Sequence, residues 1–229
     1  MRRFLVSLFI VLVMLVLSAA FAGEEAQNCF EEAQKALWSG DTEEALKLFE
    51  ECAEQGIRPH DAYFEMGLIY YREGEYLSAF RISKKAIRAF RTHLEAHPDD
   101  HRSWFRLAYI YELRSEAPSV NEWKKAREAL EEALKRSENN SLYLLHLGYV
   151  CYKIGDMEKA KEAFERVVAT QPSNAYARYY LALLDLKAGN IEQAKSAFSW
   201  IVENLPESSP LHQGAKKELA RLEEEKDEG

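Results

Sequence analysis

The sequence predicts an all-α fold assembled from repeated antiparallel helix hairpins. Three observations carry that prediction: an internal repeat, helical spacing of apolar residues within each repeat, and few chain breakers. Ten glycines and six prolines punctuate 229 residues, which favours long helices over a many-turned β fold. A content of 47% hydrophobic and 30% charged residues supplies a sizeable core and a wetted surface. That balance excludes disorder, collagen and a polytopic membrane protein. The net charge of −8 weighs against nonspecific nucleic-acid binding.

Arg2 and Arg3 precede an apolar run from Phe4 to Leu17 broken only by Ser7, and Ala20-Phe21-Ala22 stands just ahead of Gly23-Glu24-Glu25. A positive start, a greasy segment and an Ala-x-Ala ending are the parts of a secretory signal peptide, so cleavage is expected after Ala22. The competing reading is an uncleaved anchor, because the stretch from Phe4 to Ala22 is just long enough to cross a bilayer as a helix. Both readings place the rest of the chain outside the cytoplasm, in the periplasm, the cell envelope or the medium. Removing residues 1–22 takes away two of the 30 basic residues and none of the 38 acidic ones, so the exported part is more acidic still.

Three cysteines are an odd number for an oxidising compartment. Cys29 and Cys52 fall on the two helices of the first hairpin. The usual distance between packed helix axes weighs against a bridge and favours two small packing residues, with the bridge left open. Cys151 lies inside a helix and reads as buried.

The repeat is marked by Ala45, Ala79, Ala126, Ala160 and Ala194, at successive spacings of 34, 47, 34 and 34. Gly40, Gly74, Gly155 and Gly189 keep the same register, each a fixed short step ahead of one of four of those alanines. The excess of 13 in the irregular gap divides into about seven residues lengthening the helix before Pro98 and about six enlarging the loop Arg114 to Glu122. Within the units, Tyr63, Met66, Gly67 and Tyr70 show helical spacing, as do Trp104, Leu107, Ala108 and Tyr111, then Leu144, Leu147, Gly148 and Cys151. Pro98, Pro172 and Pro206 close second helices, since proline cannot continue the hydrogen-bond ladder. No single hairpin buries its apolar face, so the units must stack. Leu211, Ala215, Leu219 and Leu222 form one face of a last helix whose other faces are charged, as a solvating cap requires.

Trp104-x-x-Leu107-Ala108-x-x-Tyr111 followed by Ala126-x-x-x-Leu130-x-x-Ala133 resembles a tetratricopeptide repeat. So does Leu147-Gly148 with Gly155-Asp156, Ala160-x-x-x-Phe164 and Pro172. Five such units are expected at 26–59, 60–100, 101–140, 141–174 and 175–208, within 23–208, with the cap and a frayed tail at 209–229. The first departs most, because Glu32 stands where an apolar residue is usual. The resemblance implies a right-handed superhelical solenoid of antiparallel helix pairs that presents a concave groove to peptides or protein segments.

In this family the first helix of each unit lines the concave side, which points to residues one step off the packing positions. Here these are Phe64, Leu68 and Tyr71, then Phe105 and Tyr109 with Glu112. Leu145, Tyr149 and Tyr152 follow, and Tyr176, Tyr179 and Leu183 with Leu186. Arg72, Arg102, Arg106, Lys153 and Lys187 are placed at the rim. Contiguous aromatic surface with a charged rim is the chemistry of a protein-binding hot spot. An apolar or amphipathic segment is expected to dock there, its acidic groups meeting the basic rim. The Lys and Asn clamp with which some relatives grip a C-terminal carboxylate is absent, because Phe64, Leu68, Phe105 and Tyr109 stand at its positions.

Weaker constellations remain. His93, His97 and His101 cluster, but Pro98 interrupts the helix and the order His-Leu-Glu-Ala-His is not the zinc-protease motif, so a solvated helix end is the better reading. Arg81, Lys84, Lys85, Arg88 and Arg91 form the outer side of an amphipathic helix. That run offers an alternative function, attraction to anionic lipid or wall polymer. No nucleophile, base and oxyanion donor come together, so a non-catalytic scaffold or adaptor without a cofactor is expected. Its partner is a protein or peptide, not nucleic acid, and it meets a membrane only if the N-terminal segment stays attached. The oligomeric state is not legible.

Overall fold

The computed structural model describes residues 28–227, and the expected signal peptide or anchor at residues 1–22 lies outside them. Their regular structure is helical, with no strand among the described residues. The helices are α1 (28–38), α2 (Thr42–Glu54), α3 (Pro59–Arg72), α4 (Tyr76–Ala96), α5 (His101–Ser115), α6 (Trp123–Arg136), α7 (Ser141–Ile154), α8 (Met157–Thr170), α9 (Ala175–Lys187), α10 (Ile191–Asn204) and α11 (Pro210–Asp227). Two compact units divide after Pro98. Among the described residues, no helix is long and apolar enough to cross a membrane.

In the first unit, α3 packs against α2 and α4. Helix α1 forms despite the exposed Glu32, because Phe30 and Ala33 on its other side enter a core with Phe49, Met66 and Ile69. Phe30 meets Phe49 edge-on at 5.3 Å. The structure also bridges Cys29 to Cys52, with their Cα atoms 5.9 Å apart, which corrects the weight given to simple packing. Helix axes do lie about 8–10 Å apart, but each inward-facing Cα stands about 2.3 Å off its axis. Two cysteines that face each other across the contact therefore come within disulfide range.

The excess length of the irregular unit is visible directly. Helix α4 runs for 21 residues, against 14 in each of α6, α8 and α10. Its buried side carries Ile82, Ala86, Phe90 and Leu94, a helical spacing that keeps one stripe inward.

In the second unit the pairs α5–α6, α7–α8 and α9–α10 pack consecutively, and α11 lies against α10 and α9. The α5–α6 loop is tied by Arg114 Nε to Glu122 Oε2 at 2.5 Å and by the Glu122 amide donating to Ser115 Oγ at 2.8 Å. Side chains of Asp100, Asn140, Asp156 and Asn174 accept from the first-turn amides of α5, α7, α8 and α9. Gly155 ends α7 at φ 85°, a left-handed conformation that glycine adopts without steric cost. Within the α7–α8 pair, Gly148 meets the fully buried Phe164 so closely that an added Cβ would stand 2.7 Å from the ring. Leu211, Ala215 and Leu219 of α11 pack on Phe198 and Ile201, and His212 turns Nδ1 to the Leu205 carbonyl at 3.0 Å.

Candidate functional site

First helices α5, α7 and α9 of the second unit, with Phe164 of α8, enclose an apolar-walled groove of about 460 Å³. Helix α5 contributes Tyr109, Glu112 and Leu113, with Glu116 just beyond its end; this helical spacing puts all four on one face. Leu145, His146 and Tyr149 come from α7, and Tyr176 and Tyr180 from α9. Tyr180 stacks on Phe164 at 5.2 Å and meets Tyr149 and Tyr152 edge-on at 5.6 and 5.3 Å. Tyr176 is 57% exposed at the mouth.

The polar chemistry is concentrated on α5. Glu112 is only 5% exposed, and its Oε2 lies 2.8 Å from His146 Nδ1. Its Oε1 is buried and has no hydrogen-bond partner among the described residues. Burial raises the Glu112 carboxyl above its ordinary range, against the lowering effect of the His146 bond. Glu116 accepts the Tyr149 hydroxyl proton in a hydrogen bond and also takes Lys153 Nζ at 3.3 Å. Burial, then that bond to Glu116, pushes the Tyr149 phenol well up, while burial pushes Tyr180 up to about 12.

Of the residues expected to line a groove, Tyr109, Leu145, Tyr149 and Tyr176 do so, and Tyr152 flanks Tyr180. Several others are placed differently. Phe105 stacks on Tyr143 at 4.7 Å and meets the wall residue His146 edge-on at 5.1 Å, so it borders the groove from behind. Tyr179 packs on Phe198 at 5.6 Å, and Leu183 joins the same core. In the first unit Phe64 is buried against Phe90, Leu68 is half-buried, and Tyr71 stands exposed beside Tyr76 at 5.6 Å. For Phe105, Tyr179, Leu183 and Phe64 the physical reason is common. A first helix between neighbours packs on more than one side, so a position one step off its main stripe often meets the adjoining helix.

The expected rim also differs in chemistry. Lys153 sits over the Trp123 and Tyr149 rings at 5.0 and 5.4 Å besides pairing with Glu116, and Lys187 sits over Tyr152 at 4.3 Å. Arg72 is exposed, Arg102 lies at the start of α5, Arg106 is half-buried, and Arg72 Nε reaches the Leu68 carbonyl at 3.4 Å. Sequence reasoning missed His146 and Tyr180. A signal existed in the helix starts. Aligning His101 of α5 with Ser141 of α7 and Ala175 of α9 puts His146 and then Tyr180 in the register of Arg106. The enlarged α5–α6 loop hides that register when a constant repeat length is assumed. The histidine cluster resolves into separate contacts. His93 stacks on His60 at 4.0 Å and lies 4.7 Å from His97, whereas His101 Nδ1 is 2.9 Å from the Tyr143 hydroxyl. Among the described residues no three His, Cys, Asp or Glu are grouped to hold a metal.

Stacked helix hairpins of this kind make a protein-interaction module. The family described as "Cytochrome c-type biogenesis protein H TPR domain" matches residues 83–212, more than half of the sequence, and the chain belongs to this tetratricopeptide-repeat family. Such domains bind protein or peptide partners and are typically non-catalytic. No curated protein matches the chain. Among solved structures it is similar to MamA from Desulfovibrio magneticus RS-1 (TM-score 0.61, 19% identity, 78% of this chain and 93% of that one). It is also similar to YrrB, described as a TPR protein with an unusual peptide-binding site (0.60, 21%, 82% and 90%). A third is a tetratricopeptide repeat protein from Parabacteroides merdae (0.65, 16%, 86% and 73%). At these identities the likeness establishes the helical-repeat fold.

Proposed function

We propose that this chain is an exported, non-catalytic scaffold or adaptor whose second-unit groove receives an apolar or amphipathic segment of a partner protein. The observation that carries the reading is the groove itself, an aromatic-walled space of about 460 Å³ with Tyr176 exposed at its mouth. Contiguous apolar surface open to water is costly unless something covers it. The description of YrrB as having an unusual peptide-binding site fits this use of the fold. Export is supported by two independent features, the Ala20-x-Ala22 ending of the apolar N-terminus and the Cys29–Cys52 bridge, since disulfides persist in oxidising compartments. An envelope location also suits a cytochrome c-type biogenesis domain.

The test is a photoreactive amino acid at position 176, challenged with peptides selected from a random displayed library. Adducts joining selected peptides to that position, lost on addition of unlabelled peptide, are expected. Peptides that bind yet never crosslink there would overturn the groove reading.

A second reading draws on α4, where Arg81, Lys84, Lys85 and Arg88 lie along one helix and Tyr76 and Leu77, at the helix start, are 65% and 85% exposed. Apolar side chains next to cations suit an anionic lipid surface. Sedimentation with phosphatidylglycerol vesicles, abolished by salt, is its expected outcome; equal binding to neutral vesicles contradicts it.

A further inference from the structure

We infer that the second-unit groove takes a guanidinium side chain carried on the docking segment, held between tyrosine rings and the Glu112 carboxylate. This rests on the groove reading above and specifies its chemistry. Its lining includes two carboxylates, Glu112 and Glu116, four tyrosines, and no lysine or arginine. Lys153 already answers Glu116. Glu112 has only His146 on Oε2, while Oε1 is buried without a hydrogen-bond partner among the described residues.

A buried carboxylate oxygen without a donor is an unfavourable arrangement that an incoming donor relieves. The donor must also be compatible with the ring faces of Tyr109, Tyr149 and Tyr180, whose negative quadrupoles attract cations. A guanidinium satisfies both demands. Its planar fork matches a carboxylate, it stacks on aromatic rings, and it sheds water more readily than an ammonium. Glu112 is itself part of the groove lining, so a docked guanidinium approaches its carboxylate from that side. An acidic group in the same place would meet two carboxylates. The polarity is therefore opposite to that expected from a basic rim.

The test uses the purified full-length chain and three peptides with one apolar host sequence and a central arginine, citrulline or glutamate. Citrulline keeps the shape of arginine and removes its charge. The arginine peptide is expected to bind about tenfold more tightly than the citrulline peptide, and the glutamate peptide most weakly. Glu112→Gln is expected to erase the arginine advantage and leave citrulline binding unchanged, whereas Glu116→Gln retains it. Should Glu112→Gln fail to fold, the arginine-to-citrulline ratio on the native chain still decides. Equal binding of arginine and citrulline, or preference for glutamate, overturns the guanidinium inference and leaves the groove reading standing. Binding of none of the three at position 176 overturns both.

Discussion

Glu112 on α5 and His146 on α7 make a 2.8 Å contact between residues that are not equivalent in the repeat. With the starts of α5 and α7 aligned, the counterpart of Glu112 is Tyr152, and His146 is the counterpart of Arg106. Towards the C-terminal ends of these first helices, side chains such as Glu112 and Glu116 therefore meet residues from earlier positions of the next first helix. Tyr149 reaching back to Glu116 repeats the relationship one turn further along. These contacts help join single-helix stripes into one continuous wall.

Burial of Glu112 has a consequence for pH. Its folded carboxyl titrates above the ordinary 4.5, so the folded chain keeps a proton that the unfolded chain releases. The favourable contribution of this group is fully present below the unfolded value and is lost as pH rises through the raised folded value. Glu112→Gln cannot titrate. Urea unfolding at pH 4.5 and pH 7 is expected to show the native chain losing more stability over that interval than the variant; parallel losses would contradict the assignment.

Tyr176 and Phe105 separate recognition from packing. Tyr176→Ala removes a ring that is mostly in water, so stability is expected to change by no more than about 0.5 kcal/mol while groove peptides weaken about tenfold. Phe105→Ala instead removes the stacking partner of Tyr143 and is expected to cost about 3 kcal/mol. Calorimetry alongside peptide titration distinguishes the two.

Gly148 carries a purely steric prediction. Gly148→Ala places a methyl group against the fully buried Phe164 ring, which must shift to admit it. A loss of about 1–3 kcal/mol is expected, measurable as a lower thermal midpoint. Combining it with Phe164→Leu, which frees the ring's volume, is expected to cost less than the sum of the separate changes.

The Cys29–Cys52 bridge closes a separation of 23 residues and ties down α1. Chain-entropy arguments assign it about 3 kcal/mol. Unfolding of the first unit, followed by hydrogen exchange at residues 28–38, is expected to come earlier in reductant or in a Cys29→Ser, Cys52→Ser chain. Protection that does not depend on the bridge would show that Phe30 and Ala33 hold the helix unaided.

The all-α class, the alternation of long helices and the place of the extra length in the irregular repeat were all legible in the sequence, because each follows from local spacing. A stripe with helical period, a glycine able to turn left and a proline unable to donate act within a few positions of themselves. The groove was legible only in outline. Register put Tyr109, Leu145, Tyr149 and Tyr176 along the groove wall and did not single out His146 and Tyr180, whereas Phe105, Tyr179 and Phe64 pack against neighbouring rings. Which side of a first helix stays open depends on how far its neighbour is shifted along the axis, and that shift is set by side-chain interlock between helices distant in sequence. The same holds for Cys29 and Cys52, whose bridge required two inward-facing Cα atoms at one helix contact. Periodicity alone determined which stripe of each helix is apolar; the packing of one hairpin on the next decided which part of that apolar surface remained for a partner.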